Sequence, residues 1–321
     1  LSAHVKYNFN DMVFESISST RNSYMDNVQD VDFDGGPIVN PSPITQDLDQ
    51  ITQEFRLYSD NDSDLNWLIG AHYYKEEMDY EESIYYGPGF RGYIGAFLPP
   101  GSFAGLEAAF GLPSGTVFPA GAGTTETATQ DNTSTSIFMQ ADYNITDKLN
   151  ILVGVSYLED EKTVSYNQAN TDFFSQLDFV GIVTAQLMGL GFPAATAQAL
   201  ASDPASNQLL AFQALQLLPQ FVNFPNVAND GKSKDDNVDH NIKFTYAVND
   251  FASIYGGIST GFKASAWNIS RDSRPTATEI AALAAAGTPV GANTTVGTRY
   301  ANPEKAEVLE LGAKILLPSG Y

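Results

Sequence analysis

The chain has 321 residues, a net charge of −22 and no cysteine. This charge argues against nucleic acid as a partner, because such binding rests on Lys and Arg neutralising phosphates. The absence of cysteine excludes disulfides, thiolate metal sites and cysteine nucleophiles. The most apolar stretch, residues 179–192, is shorter than the roughly 20 residues of a membrane-spanning helix.

Nine segments alternate apolar and polar side chains with the period of two that is typical of β-strands. We predict strands at residues 1–8, 12–24, 49–59, 65–86, 126–143, 149–166, 236–248, 251–268 and 303–317. Several of them are longer than the ~9–11 residues that a tilted strand needs to cross a membrane. The surplus, which includes the acidic residues between Glu76 and Glu82, would project into the medium as a β-ribbon.

Short and long connectors alternate along the chain. Polar turns near residues 8–11, 60–64, 144–148 and 249–250 alternate with long loops at 25–48, 87–125, 167–235 and 269–301. A β-barrel in the outer membrane sorts its connectors in this way, with tight turns at one rim and long loops at the other. The pattern therefore predicts an all-β antiparallel meander that forms part of a large transmembrane barrel, with short helices in the long loops.

Each predicted strand has one apolar face and one mostly polar face. In a barrel with a wet lumen, the apolar face meets lipid and the polar face meets water. The residues expected to face lipid are Trp67, Ile69, Val153, Val155, Phe244 and Leu311. Those expected to face the lumen are Asn66, His72, Asn150, Asn241 and Lys243. In the alternative, a soluble extracellular carbohydrate-binding module, the same apolar side chains would form a closed core.

The loop at residues 87–125 is rich in glycine, proline and aromatic residues but carries few charges. Aromatic residues on a loop either bind a ligand or pack against one another, and the sequence leaves both readings open. The ligand-binding candidates are Tyr85, Tyr86, Phe90, Arg91 and Tyr93. A ligand at this loop would be held by stacking and hydrogen bonds rather than by ion pairs.

Two helices are predicted in the other long loops. The sequence Ser202-Asp203-Pro204 predicts a helix start. Apolar residues follow it at helical spacing, namely Leu209, Leu210, Phe212, Leu215 and Leu218. Residues 278–286 predict a second short helix that is closed by a glycine. We expect the apolar faces of both helices to pack on neighbouring loops.

Candidate metal and catalytic sites are weak. Asp30, Asp32 and Asp34, followed by Gly35, match the first half of a calcium-binding loop. The twelfth position of such a loop is normally Glu, and here it is Pro41, so we favour a solvated acidic turn. The three histidines lack metal-ligand spacing. No nucleophile elbow or phosphate-binding loop occurs, so the sequence predicts no enzyme, no metal site and no cofactor.

Five strings occur along the chain in a fixed order: QEFRL at 53–57, WLIGAHYY at 67–74, GVSY at 154–157, IYGGISTGFK at 254–263 and NPEKAEVLELGAK at 302–314. Together they resemble strand motifs of TonB-dependent outer-membrane receptors. Their order and spacing cover nearly the whole chain. The third string departs from the family's G-x-R-Y pattern, because Ser156 stands where the family has Arg.

The resemblance implies a barrel of about 22 strands that encloses a plug domain. It implies energised uptake of a scarce nutrient, such as a siderophore, cobalamin or a saccharide, across the bacterial outer membrane. The implied partners are outer-membrane lipid, the plug, the energising protein TonB and a small-molecule ligand. On this reading residues 1–321 are a partial barrel, in which the plug domain and the later strands are absent and TonB is contacted through the missing N-terminal part.

Overall fold

The computed structural model describes residues 1–33, 35–213, 216, 231–268 and 300–316. Its main feature is one nine-stranded antiparallel sheet that follows chain order, which confirms the nine predicted strands. The strands of this sheet are β1 (Ser2–Phe9), β2 (Met12–Gln29), β3 (Ser42–Ser59), β4 (Leu65–Tyr85), β5 (Gly123–Thr146), β6 (Leu149–Asn170), β7 (Lys232–Asn249), β8 (Ala252–Lys263) and β11 (Glu304–Ile315). The predicted strand at 251–268 breaks after Lys263, and its end, β9 (Ala266–Trp267), pairs instead with β10 (Tyr300–Ala301).

The short turns follow from local side-chain chemistry. Asn10 and Asp11 join β1 to β2, and Asn10 has a φ of 50°, a left-handed conformation that Asn tolerates. At the turn between β7 and β8, the backbone N–H of Phe251 donates to Oδ1 of Asn249 over 2.9 Å. Such tight turns fix the register of the hairpins that they close.

The strands extend far beyond the turns. β4, β5 and β6 contain 21, 24 and 22 residues, about twice what a tilted crossing needs. The first long loop is shorter than predicted, because β2 continues to Gln29 and β3 already begins at Ser42. The strands therefore overhang toward the long loops, as the sequence predicts.

The sheet is a single layer, and the main hydrophobic core of the described residues lies in the long loops. In the described part of these loops there are four α-helices: α1 (Phe90–Gly95), α2 (Ser102–Ala109), α3 (Phe179–Gly189) and α4 (Ala194–Ser202). None of the helices in the described ranges is both long and apolar enough to span a membrane.

The helix predicted to begin at Ser202 is wrong, because Ser202 ends α4. The carboxylate of Asp203 accepts from the backbone N–H of Ala205 over 3.1 Å and from Oγ of Ser206 over 2.8 Å, so it closes a turn rather than capping a helix. The 3₁₀ segment Gln208–Phe212 follows. Leu215, Leu218 and the predicted helix at 278–286 lie outside the described residues.

Candidate functional site

The strand register sorts the side chains of the sheet onto two faces. Directly opposed residues of antiparallel strands share a face. Trp67 opposes Ala141, which opposes Val153, and Val153 opposes Ile242. Followed across the strands, these rows place all six residues that were predicted to face lipid on the same face, namely Trp67, Ile69, Val153, Val155, Phe244 and Leu311.

This apolar face ends along a line across the sheet. On β6 it runs from Leu149 to Tyr157, nine residues along the strand, which is the length of a tilted membrane crossing. The next row on the same face is charged, and Glu159 opposes Asp236 there. Two rows further toward the loops, Glu77 opposes Asp131. Charges at this density mark the limit of a band that hydrocarbon could cover.

The opposite face of the sheet is mostly polar. The register places Asn66, His72, Asn150, Asn241 and Lys243 together on it. Their neighbours are polar as well, since Asn66 opposes Asp142 and Nδ2 of Asn150 donates to Oδ1 of Asn144 over 3.0 Å. That lipid meets one face and the lumen the other stays a prediction.

Two adjacent depressions lie on this polar face near the short turns. The larger, of about 410 Å³, has in its lining the polar-face residues Glu15, Arg56, Tyr58, Asn66, Leu68, Gln140 and Asp142. The smaller, of about 340 Å³, includes Gly154, Ser156 and Asp239 in its lining. Gly154 leaves space there, because a Cβ atom on it would meet its nearest neighbour only at 3.7 Å.

Charges of both signs line the larger depression. Oε1 of Glu15 accepts from the Tyr58 hydroxyl over 2.9 Å and lies 3.8 Å from Nζ of Lys6. Nε of Arg56 donates to Oε1 of Glu54 over 2.7 Å. This wall can therefore hold polar and charged groups of another protein segment, or ordered water.

At the other end of the strands, two long loops form one folded unit, which we call the loop crown (residues 86–122 and 171–213). Phe118 lies at its centre, fully buried, and among the described residues it contacts the rings of Tyr86, Phe90, Phe103 and Phe174. The ring centroids of Phe118 and Phe174 are 4.7 Å apart, so this contact joins the two loops. The buried members of the crown core are Tyr86, Phe90, Phe103, Leu106, Val117, Phe118, Ala122, Phe174, Leu177 and Phe179.

One ion pair holds the first loop of the crown. Nη1 and Nη2 of Arg91 donate to the carboxylate of Glu107 over 2.7 and 3.0 Å. The same carboxylate accepts from the backbone N–H groups of Gly115 and Val117 over 3.0 and 2.9 Å. Burial opposes ionisation of Glu107, but the Arg91 guanidinium and these donors outweigh it, and its pKa is lowered.

The five ligand-binding candidates divide between the interior and the surface of the crown. The rings of Tyr86 and Phe90 stack at 4.0 Å and are buried, and Arg91 is engaged by Glu107. Tyr85 is half-buried at the end of β4. Tyr93 is 48% exposed, and its ring meets that of Phe97 edge-on at 5.2 Å.

Sequence reasoning missed three residues that organise the crown, namely Glu107, Phe118 and Phe174. A signal existed for Glu107, since it is the only acid in a loop segment with a single Arg. Contacts between Phe118 and Phe174 join two separate loops and have no local sequence signal.

The acidic turn at Asp30 is linked to the crown through Val39, which forms an antiparallel bridge with Tyr86. Two of its carboxylates accept hydrogen bonds from backbone N–H groups. Oδ1 of Asp30 accepts from the N–H of Asp32 over 3.3 Å, and Oδ2 of Asp32 accepts from the N–H of Val39 over 2.7 Å. Asp34 lies outside the described residues. Within the part of the chain that the structure describes, no group of three or more His, Asp or Glu residues could hold a metal ion.

Comparison with known proteins adds a family and a fold. Residues 1–321 match the family model described as TonB dependent receptor-like, beta-barrel. No curated protein matches the chain. The chain is similar in structure to the ferric yersiniabactin uptake receptor FyuA from Yersinia pestis, with a TM-score of 0.55 and 16% identity over 98% of this chain and 32% of that receptor. The siderophore receptor PiuA from Acinetobacter baumannii gives a TM-score of 0.47 and 14% identity over 97% of this chain and 36% of its own. The chain thus spans about a third of the length of these receptors, and the likeness to FyuA concerns the fold.

Proposed function

Since the chain belongs to the TonB-dependent receptor-like β-barrel family, we propose that it forms part of the wall of a receptor that takes up a scarce small molecule by energised transport. The family resides in the bacterial outer membrane, and its members are transporters rather than enzymes. The transported molecule is a nutrient such as a siderophore, cobalamin or a saccharide. Transport here means binding, followed by release into the periplasm, without bond-making chemistry.

The observation that carries this proposal is the separation of the two sheet faces. Val153 and Ile242 stand exposed in an apolar band about one membrane crossing wide. Asn241, one position along β7 from Ile242, points to the polar face. A soluble module would bury Val153 in a closed core, whereas its side chain is exposed on a single-layered sheet.

The polar face supports the proposed contact with a plug domain. Plug and barrel wall would meet through hydrogen bonds and ion pairs to groups such as Glu15, Arg56 and Asn66 around the larger depression. The proposal puts the short turns at the periplasmic rim, and TonB would act on the plug from that side. Force on the plug would open a hydrated path along this wall.

The loop crown supports the proposed capture step. Its packed aromatic core gives the loops one defined shape before a ligand arrives, which lowers the ordering cost of binding. Tyr93 remains on its surface as the ligand-binding candidate with the greatest exposure. Tyr86, Phe90 and Arg91 would affect ligand binding indirectly, because they hold the crown in its folded shape.

The test uses nitroxide spin labels on the complete receptor in lipid nanodiscs, one at Val153 and one at Asn241 as the matched control. We expect the label at Val153 to collide with oxygen dissolved in the bilayer and to be shielded from a water-soluble nickel reagent. We expect the reverse at Asn241. A label at Val153 that reports water would overturn the proposal, as would ligand accumulation that is unchanged in cells without TonB.

A further inference from the structure

We propose that the loop crown binds an uncharged ligand on its exposed aromatic and aliphatic surface and discriminates against anionic ligands. This inference rests on the proposed function and specifies the chemistry of the molecule that is captured. It is based on the small number of charged side chains in the crown and on the contacts that they make.

Charged residues are scarce in the crown. They make up 17% of the whole chain, but residues 86–122 and 171–213 contain only Arg91, Glu107, Asp172, Asp178 and Asp203. A ligand on this surface therefore meets mainly aromatic rings, aliphatic side chains, hydroxyl groups and peptide groups.

Arg91 is the single cation of the crown, and its contacts stabilise the folded loop. Both of its terminal nitrogens donate to the carboxylate of Glu107, and its guanidinium lies 5.1 Å from the centre of the Phe103 ring. An anionic ligand would have to take Arg91 away from Glu107, which is itself almost fully buried. Leaving that carboxylate without its partner is costly in a buried site.

The three aspartates of the crown also hold its backbone. Oδ1 of Asp178 accepts from the N–H of Gly181 at the start of α3 over 2.8 Å. Asp203 closes the turn after α4 through Ala205 and Ser206. Asp172 is fully buried and accepts from the N–H of Ser175 over 2.8 Å. All five charged side chains of the crown are thus engaged internally.

What the crown presents instead is apolar. On α1 and just beyond it, Tyr93 and Phe97 form an edge-to-face pair, and Phe97 is 72% exposed. At the connection between α3 and α4, Leu190 is 77% exposed, and Met188 and Phe192 lie beside it in sequence and are exposed as well. Burying a charge against such a surface is unfavourable, whereas burying a neutral apolar face is favourable.

The surroundings of the crown strengthen the discrimination. The chain carries a net charge of −22. Asp32 of the acidic turn accepts a hydrogen bond from Val39, which in turn pairs with Tyr86 of the crown. On the strands below, the paired acids Asp47 and Asp79 add negative charge. This field lowers the local concentration of anions and leaves neutral molecules unaffected.

The experiment measures binding of three probes of similar size to the complete receptor in nanodiscs: a neutral oligosaccharide, a neutral ferric trihydroxamate and an anionic ferric triscatecholate. We expect at least one uncharged probe to bind and the anionic chelate not to bind. The Kd of the uncharged probe should change by less than about twofold between low and high salt, because salt screens only charge–charge contacts. Binding by the catecholate, or by neither uncharged probe, would overturn the inference.

Two variants locate the binding surface. Phe97→Ser should weaken binding of the uncharged probe about tenfold, because it removes a ring from the proposed contact. Tyr24→Ser is the matched control, since Tyr24 is also a well-exposed aromatic residue, at 62%, but lies on β2, outside the crown. Equal losses in both variants, or no loss in Phe97→Ser, would contradict the placement.

The inference and the proposed function fail separately. TonB-dependent accumulation of the catecholate would overturn the charge discrimination and leave the transport function standing. Tight binding of an uncharged probe without TonB-dependent accumulation would do the opposite.

Discussion

The centre of the loop crown offers a sharp test of what holds these loops together. Phe118 is fully buried and contacts Tyr86, Phe90, Phe103 and Phe174. Removing its ring should leave a cavity at the junction of the two loops. For a buried Phe, truncation to Ala costs about 3–5 kcal/mol. We expect the loops of Phe118→Ala to open locally while the sheet stays folded.

The backbone of Phe118 adds a second, more specific expectation. Its φ is 56°, in the left-handed region, which costs an L-residue about 1–2 kcal/mol and glycine almost nothing. Glycine loses more backbone entropy on folding, by about 0.5–1 kcal/mol. The difference leaves Phe118→Gly more stable than Phe118→Ala by up to about 1.5 kcal/mol. The usual order of Ala and Gly is thus reversed at this position.

Phe174 is the matched control, because it is equally buried in the same core but lies in the 3₁₀ segment Phe174–Gln176, where its φ is not positive. There, Ala should be more stable than Gly. Hydrogen exchange of residues 86–122 in the complete receptor reports the local free energy of opening for all four variants. If Phe118→Ala were as stable as Phe118→Gly or more stable, the role assigned to the left-handed backbone would be refuted.

Two further predictions concern a buried acid and a pair of glycines. Burial raises the pKa of the Asp172 carboxyl above its ordinary 3.8, so the crown should lose stability as pH rises from that value through the raised pKa. Asp172→Asn should flatten this dependence in hydrogen exchange without lowering stability at pH 7, and an unchanged pH profile would contradict the assignment. On the polar face, a Cβ atom at Gly70 would overlap the Phe138 ring, so Gly70→Ala should destabilise the folded barrel by about 1–3 kcal/mol. Gly154→Ala, where the nearest atom lies at 3.7 Å, is the control, and denaturant titration of both variants should separate them.

The strands were predictable because their signal is local. Alternation at period two requires only a few consecutive residues, as from Leu149 to Tyr157, and one face of each strand is uniform in polarity. The same alternation sorted the side chains predicted to face lipid and those predicted to face the lumen onto opposite faces of the sheet. Strand ends were less well predicted, because β2 and β3 continue as hydrogen-bonded ribbon through polar residues that lack the alternation.

The helices in the loops could not be predicted from local sequence patterns. The residues of α3 are apolar almost all round, so they carry no helical periodicity. At Asp203, a side chain typical of a helix cap closes a turn instead, which sequence alone does not distinguish. The aromatic core of the crown depends on contacts between two loops, and it is this core that decides which candidate residues reach the surface.

The length of the strands beyond the apolar band determines how far the loop crown stands above the membrane. Past Tyr157, β6 continues for about 13 residues to Asn170, or roughly 43 Å along the strand at ~3.3 Å per residue. A tilt of about 40° leaves a rise of about 33 Å above the hydrocarbon edge. The crown would then lie well outside the bilayer, and incoming molecules would be captured before they reached the membrane surface.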